Sequence, residues 1–187
     1  MERVTKLLAM LLAAALVLGC SVSTKSSEEK KGSKVDIDSP VGSLHVQTDE
    51  RAKHDTGITV YPGARPAPPD EHDSSAANVN LGFAGFGLRV IAVKYLTDDS
   101  PEKVLEFYRK DLNKFGKVVE CKGGDIDLHS GKNGKEITCS HHGGSDKTEL
   151  GAGDSSNSHS VSVRPKGKGT EFGLVYIQTR QGEKETM

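Results

Sequence analysis

Hydrophobic and polar positions form four kinds of pattern along this chain. The first is an unbroken apolar run, Leu7 to Leu18, behind a short basic start at Arg3 and Lys6. It is roughly a dozen residues long where a spanning helix needs about 20, so it predicts a cleaved export signal over 1–19. The second is alternation. VDID and SLHVQT flank Ser39-Pro40-Val41-Gly42 and place Val35, Ile37, Leu44 and Val46 on one face, predicting a short hairpin over 35–48. Third, Leu88–Leu96 is largely apolar on both alternate faces, which predicts a strand covered on both sides and central in its sheet. The fourth has helical spacing. Between Thr97 and Gly116, residues Val104, Leu105, Tyr108, Leu112 and Phe115 share one stripe, with Ser100 as a cap, Pro101 at the first helical position, Glu102 at the positive end of the dipole and Gly116 as the stop.

Further strands are expected at Lys117–Cys121, Lys135–Cys139, Ser158–Arg164 and Phe172–Arg180, joined by glycine-rich connections. RPAPPDEHDSSAAN reads as an exposed loop after ITVYPGA, which opens the main domain. The fold class is therefore α+β: an antiparallel sheet with one main amphipathic helix packed on it, over residues 56–180. That length can hold a single core without a partner. Before it come the signal peptide, a flexible tether over 20–34 and the hairpin. A disordered tail follows at 181–187.

Composition narrows the function classes. The chain is 34% hydrophobic and 27% charged, has no tryptophan and carries a formal charge of −1. Removing residues 1–19 takes away Glu2, Arg3 and Lys6, two cations and one anion, and moves that balance to −2. Nucleic-acid partners need clustered Lys and Arg against phosphate, so no nucleic acid is expected. SVSTKSSEEKKGSK is too polar to bury the surface that would offset its ordering entropy, hence the tether. Lys30 and Lys31 lie beside Glu28 and Glu29, which favours plain solvation over contact with anionic lipid.

Val17-Leu18-Gly19-Cys20 resembles the lipobox of bacterial lipoproteins. The resemblance implies a diacylglycerol thioether on Cys20, cleavage before it and acylation of the new amino terminus. A thiol suits that role because it attacks an alkyl donor far faster than a hydroxyl does. Several acyl chains on one residue make a stable anchor, where a single chain holds only marginally. The membrane partner is then reached through lipid, and the protein belongs to the bacterial cell envelope. Ser21 in place of aspartate implies, by the sorting rule of Gram-negative lipoproteins, the outer membrane facing the periplasm.

Tyr61-Pro62-Gly63-Ala64, together with Asp99-Ser100-Pro101-Glu102-Lys103-Val104 and Phe107-Tyr108-Arg109, resembles uncharacterised bacterial envelope proteins with a YPGA segment and a DSPEKVxxFYR helix. The similarity spans residues 35–125. It implies a shared domain and no activity.

Three cysteines would leave an odd thiol in an exported protein, and lipidation of Cys20 removes it. Cys121 and Cys139 are then expected to form a disulfide, worth roughly 3 kcal/mol by loop closure. Their neighbourhood carries the competing idea. His129, His141 and His142, with Asp125 and Asp127 nearby and His159 further on, are candidate metal ligands, although their spacing matches no finger and no HExxH occurs. Surface-loop histidines explain them without a metal, so no cofactor beyond the covalent lipid is expected. GFAGFG precedes a strand rather than opening a helix, so it reads as a glycine-relieved strand or a turn and not a phosphate loop. Without GxSxG or SxxK, and with Asp98 and Asp99 accounted for by the helix start, no catalytic residue is assigned. Two function classes remain: a non-catalytic module binding an envelope protein or a small ligand through its loops, and a metal-binding protein using His129, His141 and His142.

Overall fold

In the computed structural model, which describes residues 21–27, 32–48, 56–69, 75–128, 137–140 and 145–181, the alternating segments pair into one long antiparallel sheet. Its strands are β1 (Ser21–Ser27), β2 (Gly32–Ser39), β3 (Gly42–Thr48), β4 (Arg65–Pro66), β5 (Ala76–Phe83), β6 (Phe86–Thr97), β7 (Val119–Lys122), β10 (Thr148–Gly153), β11 (Asn157–Lys166) and β12 (Gly169–Gln181). Across the sheet the order is β1-β2-β3-β5-β6-β12-β11-β10-β7, and β4 pairs with the end of β6. A two-stranded flap, β8 (Asp125–Asp127) with β9 (Thr138–Ser140), stands beside it. Helix α1 (Pro101–Asp111) continues as a 3-10 turn through Phe115. The fold is α+β, an antiparallel sheet with one helix.

The expected hairpin forms, with Val35 opposite Val46 and Ile37 opposite Leu44, so that the four share one face. It does not stand alone, because β3 pairs with β5 and makes it part of the main sheet. Gly42 permits that join: a Cβ there would lie 2.4 Å from the Gly82 carbonyl oxygen. Ser21–Ser27 pairs with Gly32–Asp38, an edge pairing held by backbone hydrogen bonds that needs little apolar burial; the rest of the expected tether, residue 20 and residues 28–31, lies outside the described residues. Ala76–Asn78 likewise lies in β5 rather than in a loop. β10, hidden in the sequence as the glycine-rich TELGAG, is a strand because its glycines serve packing. A Cβ on Gly151 would stand 2.8 Å from Ile126 Cδ1, so the flap lies flat on that strand.

Residues paired across strands share a face. On one face Tyr95, Phe172 and Val163 line up, as do Val93, Leu174, Val161 and Leu150. Val104, Tyr108 and Leu112 of α1 and its extension pack on this half and close the core. Ser100 occupies the cap position without a side-chain cap bond, and Pro101 starts the helix. Toward β1 the apolar face changes sides. On the helix side that half presents Lys34, Asp36, His45, Asn80 and Arg89. The opposite side presents Val35, Val46, Val79, Val90 and Ile177 in one row and Ile37, Leu44, Leu81 and Leu88 in the next. β6 is thus central but not covered on both sides as its pattern suggested. Ile91 and Val93 are buried, whereas Leu88, Val90 and Ala92 are half-buried, shielded by neighbours in the sheet.

Candidate functional site

The YPGA segment and the helix start form one interlocked structure. Pro62 and Gly63 occupy the centre of a turn in which the Ala64 N–H donates to the Tyr61 carbonyl at 3.1 Å, and Gly63 takes φ +74°. Proline followed by a positive-φ glycine is the requirement of a type II turn. The turn delivers Tyr61 onto α1, where its ring meets Phe107 edge-on at 5.2 Å and Phe172 at 6.2 Å. Its N–H donates to the buried Tyr108 hydroxyl at 3.1 Å, and its own hydroxyl donates to Asp99 at 3.0 Å. Lys103 donates to the same carboxylate at 2.8 Å, and together these hydrogen bonds hold Asp99 below the usual carboxylate range. Burial first, and Asp99 second, push the Tyr61 phenol up. Thr59 and Lys114 bind the Asp111 carboxylate at the other end of the helix. The residues of the YPGA and DSPEKV segments are therefore spent on joining a loop to a helix.

Cys121 and Cys139 stand at disulfide distance, with sulfurs 1.99 Å apart and Cα atoms 5.5 Å apart. The pair ties β9 to β7, while the Ile126 N–H donates to Glu149 at 3.1 Å and Lys147 pairs with Asp125. Asp125 therefore already has a cation, and His159 stands apart from the flap. It lies buried on β11, its ring stacked on that of Phe115 with centroids 3.6 Å apart and tilted against that of Tyr176 at 4.9 Å. Burial, and then Lys114, lower its pKa, and its Nδ1 has no hydrogen-bond partner. Cys20, His129, His141 and His142 lie outside the described residues. Among the described residues no group of three or more His, Cys, Asp or Glu is placed to hold a metal, and no helix is long and apolar enough to cross a membrane.

Among the described residues, shallow clefts mark the sheet. One, of about 250 Å³, runs past Lys94, Arg164 and Glu171, where Arg164 is bound to Glu171 at 2.7 Å. Another, of about 290 Å³, lies where Gly82 faces Gly87 and leaves a side-chain-free floor bordered by Ser43, Asn80, Arg89 and Arg180. Next to it sits a feature that sequence reasoning missed. Among the described residues four large hydrophobic side chains are exposed, and three of them, Val41 (66%), Phe83 (57%) and Phe86 (40%), share one end of the sheet. The sequence signal for it was the apolar content of two turns, Pro40-Val41 and Phe83-Ala84-Gly85-Phe86, at positions that usually carry polar residues.

Comparison with known protein families, with curated proteins and with solved structures returned no match.

Proposed function

We propose that the protein is a bacterial envelope lipoprotein, held to the membrane by lipid on Cys20, whose α+β body acts as a non-catalytic module binding another envelope component or a small ligand. The observation that carries this reading is the apolar run ending in Val17-Leu18-Gly19-Cys20 directly before Ser21. Ser21 also favours the outer membrane. The structure supports the non-catalytic part through the use it makes of its distinctive residues. Tyr61, Asp99, Tyr108 and Asp111 bind each other and their neighbours to close the fold.

The deciding experiment is intact mass spectrometry of the protein purified from membranes of its own host, with and without reduction. The expected mass is that of residues 20–187 plus two or three acyl chains, rising by one hydrogen pair on reduction. An unacylated chain that retains residues 1–19 overturns the lipoprotein reading.

A further inference from the structure

The strand registers bring together parts of the chain that are far apart in sequence. Ser21 pairs with Asp38, Asp38 with Ser43, Ser43 with Gly82, and Gly82 with Gly87. The start of β1 therefore lies at the same end of the sheet as the β2–β3 turn at Pro40-Val41 and the β5–β6 turn at Ala84-Gly85. These two turns touch, the Ala84 N–H lying 3.4 Å from the Val41 carbonyl oxygen. The chain therefore enters β1 at this end, at Ser21, the residue that follows Cys20 in the sequence.

The same end is apolar where a protein surface normally is not. Val41, Phe83 and Phe86 are exposed there. Ala84 has φ +43° and Gly85 φ +81°, a pair of left-handed positions that hairpins usually fill with Asn-Gly or Asp-Gly. Ala84 is the single non-glycine residue with positive φ among the described residues, and it keeps the turn apolar at a cost in backbone strain. The half-buried apolar row of Leu44, Leu81 and Leu88 crosses the strands beside this tip on one face. On the other face the cleft beside the tip carries Arg89 and Arg180. The opposite end is different in kind. β12 spans 13 residues, roughly 40 Å at strand rise, and the turn at its far end, Gly167-Lys168, is flanked by Lys166 and Arg164.

We infer that this tip, Pro40-Val41 with Phe83-Ala84-Gly85-Phe86, docks into the interfacial layer of the lipid bilayer, with Arg89 and Arg180 beside it facing lipid phosphate. The occupant follows from the chain itself. On the lipoprotein reading above, on which this inference rests, the acyl chains on Cys20 draw this end to the bilayer. Exposed aromatic and aliphatic side chains then enter the headgroup boundary, and arginine is well matched to phosphate oxygens. The module is thereby held in one orientation, with its helix start and charged far end directed away from the membrane.

The test uses the full-length protein expressed with its signal sequence, purified from membranes and reconstituted in vesicles of three parts phosphatidylethanolamine to one part phosphatidylglycerol. Val41→Cys and Lys168→Cys each carry a polarity-sensitive fluorophore, and intact mass reports acylation in the same samples. The Val41 probe is expected to shift its emission to the blue and to lose most of its fluorescence to spin-labelled lipid, corresponding to a depth of about 5–10 Å. The Lys168 probe is expected to do neither. Adding Phe83→Ser and Phe86→Ser to the Val41 variant should abolish the quenching while acylation and the melting temperature hold.

An acylated protein in which neither probe is quenched hangs on its anchor alone. That result overturns the inference and leaves the lipoprotein reading standing. Equal quenching at both positions overturns it as well, since the docking is then unoriented. A blue shift at Val41 that grows with protein concentration in the absence of lipid assigns the tip to a second copy of the chain and also overturns it. Quenching at Val41 in a protein whose mass shows no acylation supports the docking surface and defeats the lipobox.

Discussion

Replacing Tyr108 by Phe removes one oxygen from the centre of the molecule and tests how the loop and the helix are joined. Tyr108 is 0% exposed, and its hydroxyl accepts the Tyr61 N–H at 3.1 Å, while Tyr61 itself is buried. Deleting the acceptor leaves a buried backbone donor unsatisfied, which costs about 1–3 kcal/mol. Part of that is returned, because the hydroxyl also had to leave water, so the expected net loss is about 1–2 kcal/mol. For a domain of this size each kcal/mol moves the melting temperature by roughly 2–4 °C, so thermal unfolding followed by circular dichroism should show a fall of roughly 2–8 °C. The companion variant is Tyr61→Phe, which removes a hydrogen bond to Asp99 from a more solvated carboxylate and should cost less, about 0.5–1 kcal/mol. The order of the two variants is the sharp part. If Tyr61→Phe proved the more damaging, or Tyr108→Phe were neutral, the buried N–H would have another partner and the account of the clamp would be wrong.

Three further outcomes are expected. Reducing the Cys121–Cys139 pair, or replacing both residues by Ser, should lower stability by roughly 3 kcal/mol for a closed loop of 18 residues, read as a loss in urea midpoint at constant slope. His159 binds protons less readily folded than unfolded, so stability should be complete above the ordinary histidine range and fall as pH drops through its unfolded value of 6.5. His159→Phe should remove that slope below the ordinary histidine range, and a slope unchanged in the variant assigns it to other groups. Ala84→Asn should raise the melting temperature, by about 0.5–1 kcal/mol in stability, since asparagine tolerates a left-handed position better than alanine. A lower melting temperature would mean that the apolar contact of the alanine outweighs its strain.

Much of the fold was legible because it is written in local periodicity. The hairpin and its shared face, the helical stripe of Val104, Tyr108 and Leu112 and the central place of β6 all follow from patterns in short windows. What local pattern could not convey was the start of β5 and all of β10. The start of β5 sits in a loop-like composition, and TELGAG looks like a connection until Ile126 is laid across Gly151. Of the candidate residues, the cysteine pair could be named by arithmetic. The buried, stacked position of His159 could not, because a histidine in a half-apolar strand reads the same whether it faces water or core.

By itself the sequence determined the hairpin, the apolar stripe of the helix with its proline start and the expectation of a lipid anchor at Cys20, because each depends on residues within a few positions of one another. Only the tertiary structure decided which strand lies beside which. With that it decided that the apolar face changes sides across the sheet and that Val41, Phe83 and Phe86 meet at the end where β1 begins. The reason is physical: strand pairing is made through backbone groups that every residue carries, so the sequence hardly labels a strand's neighbours. Those neighbours nevertheless determine which side chains share a surface.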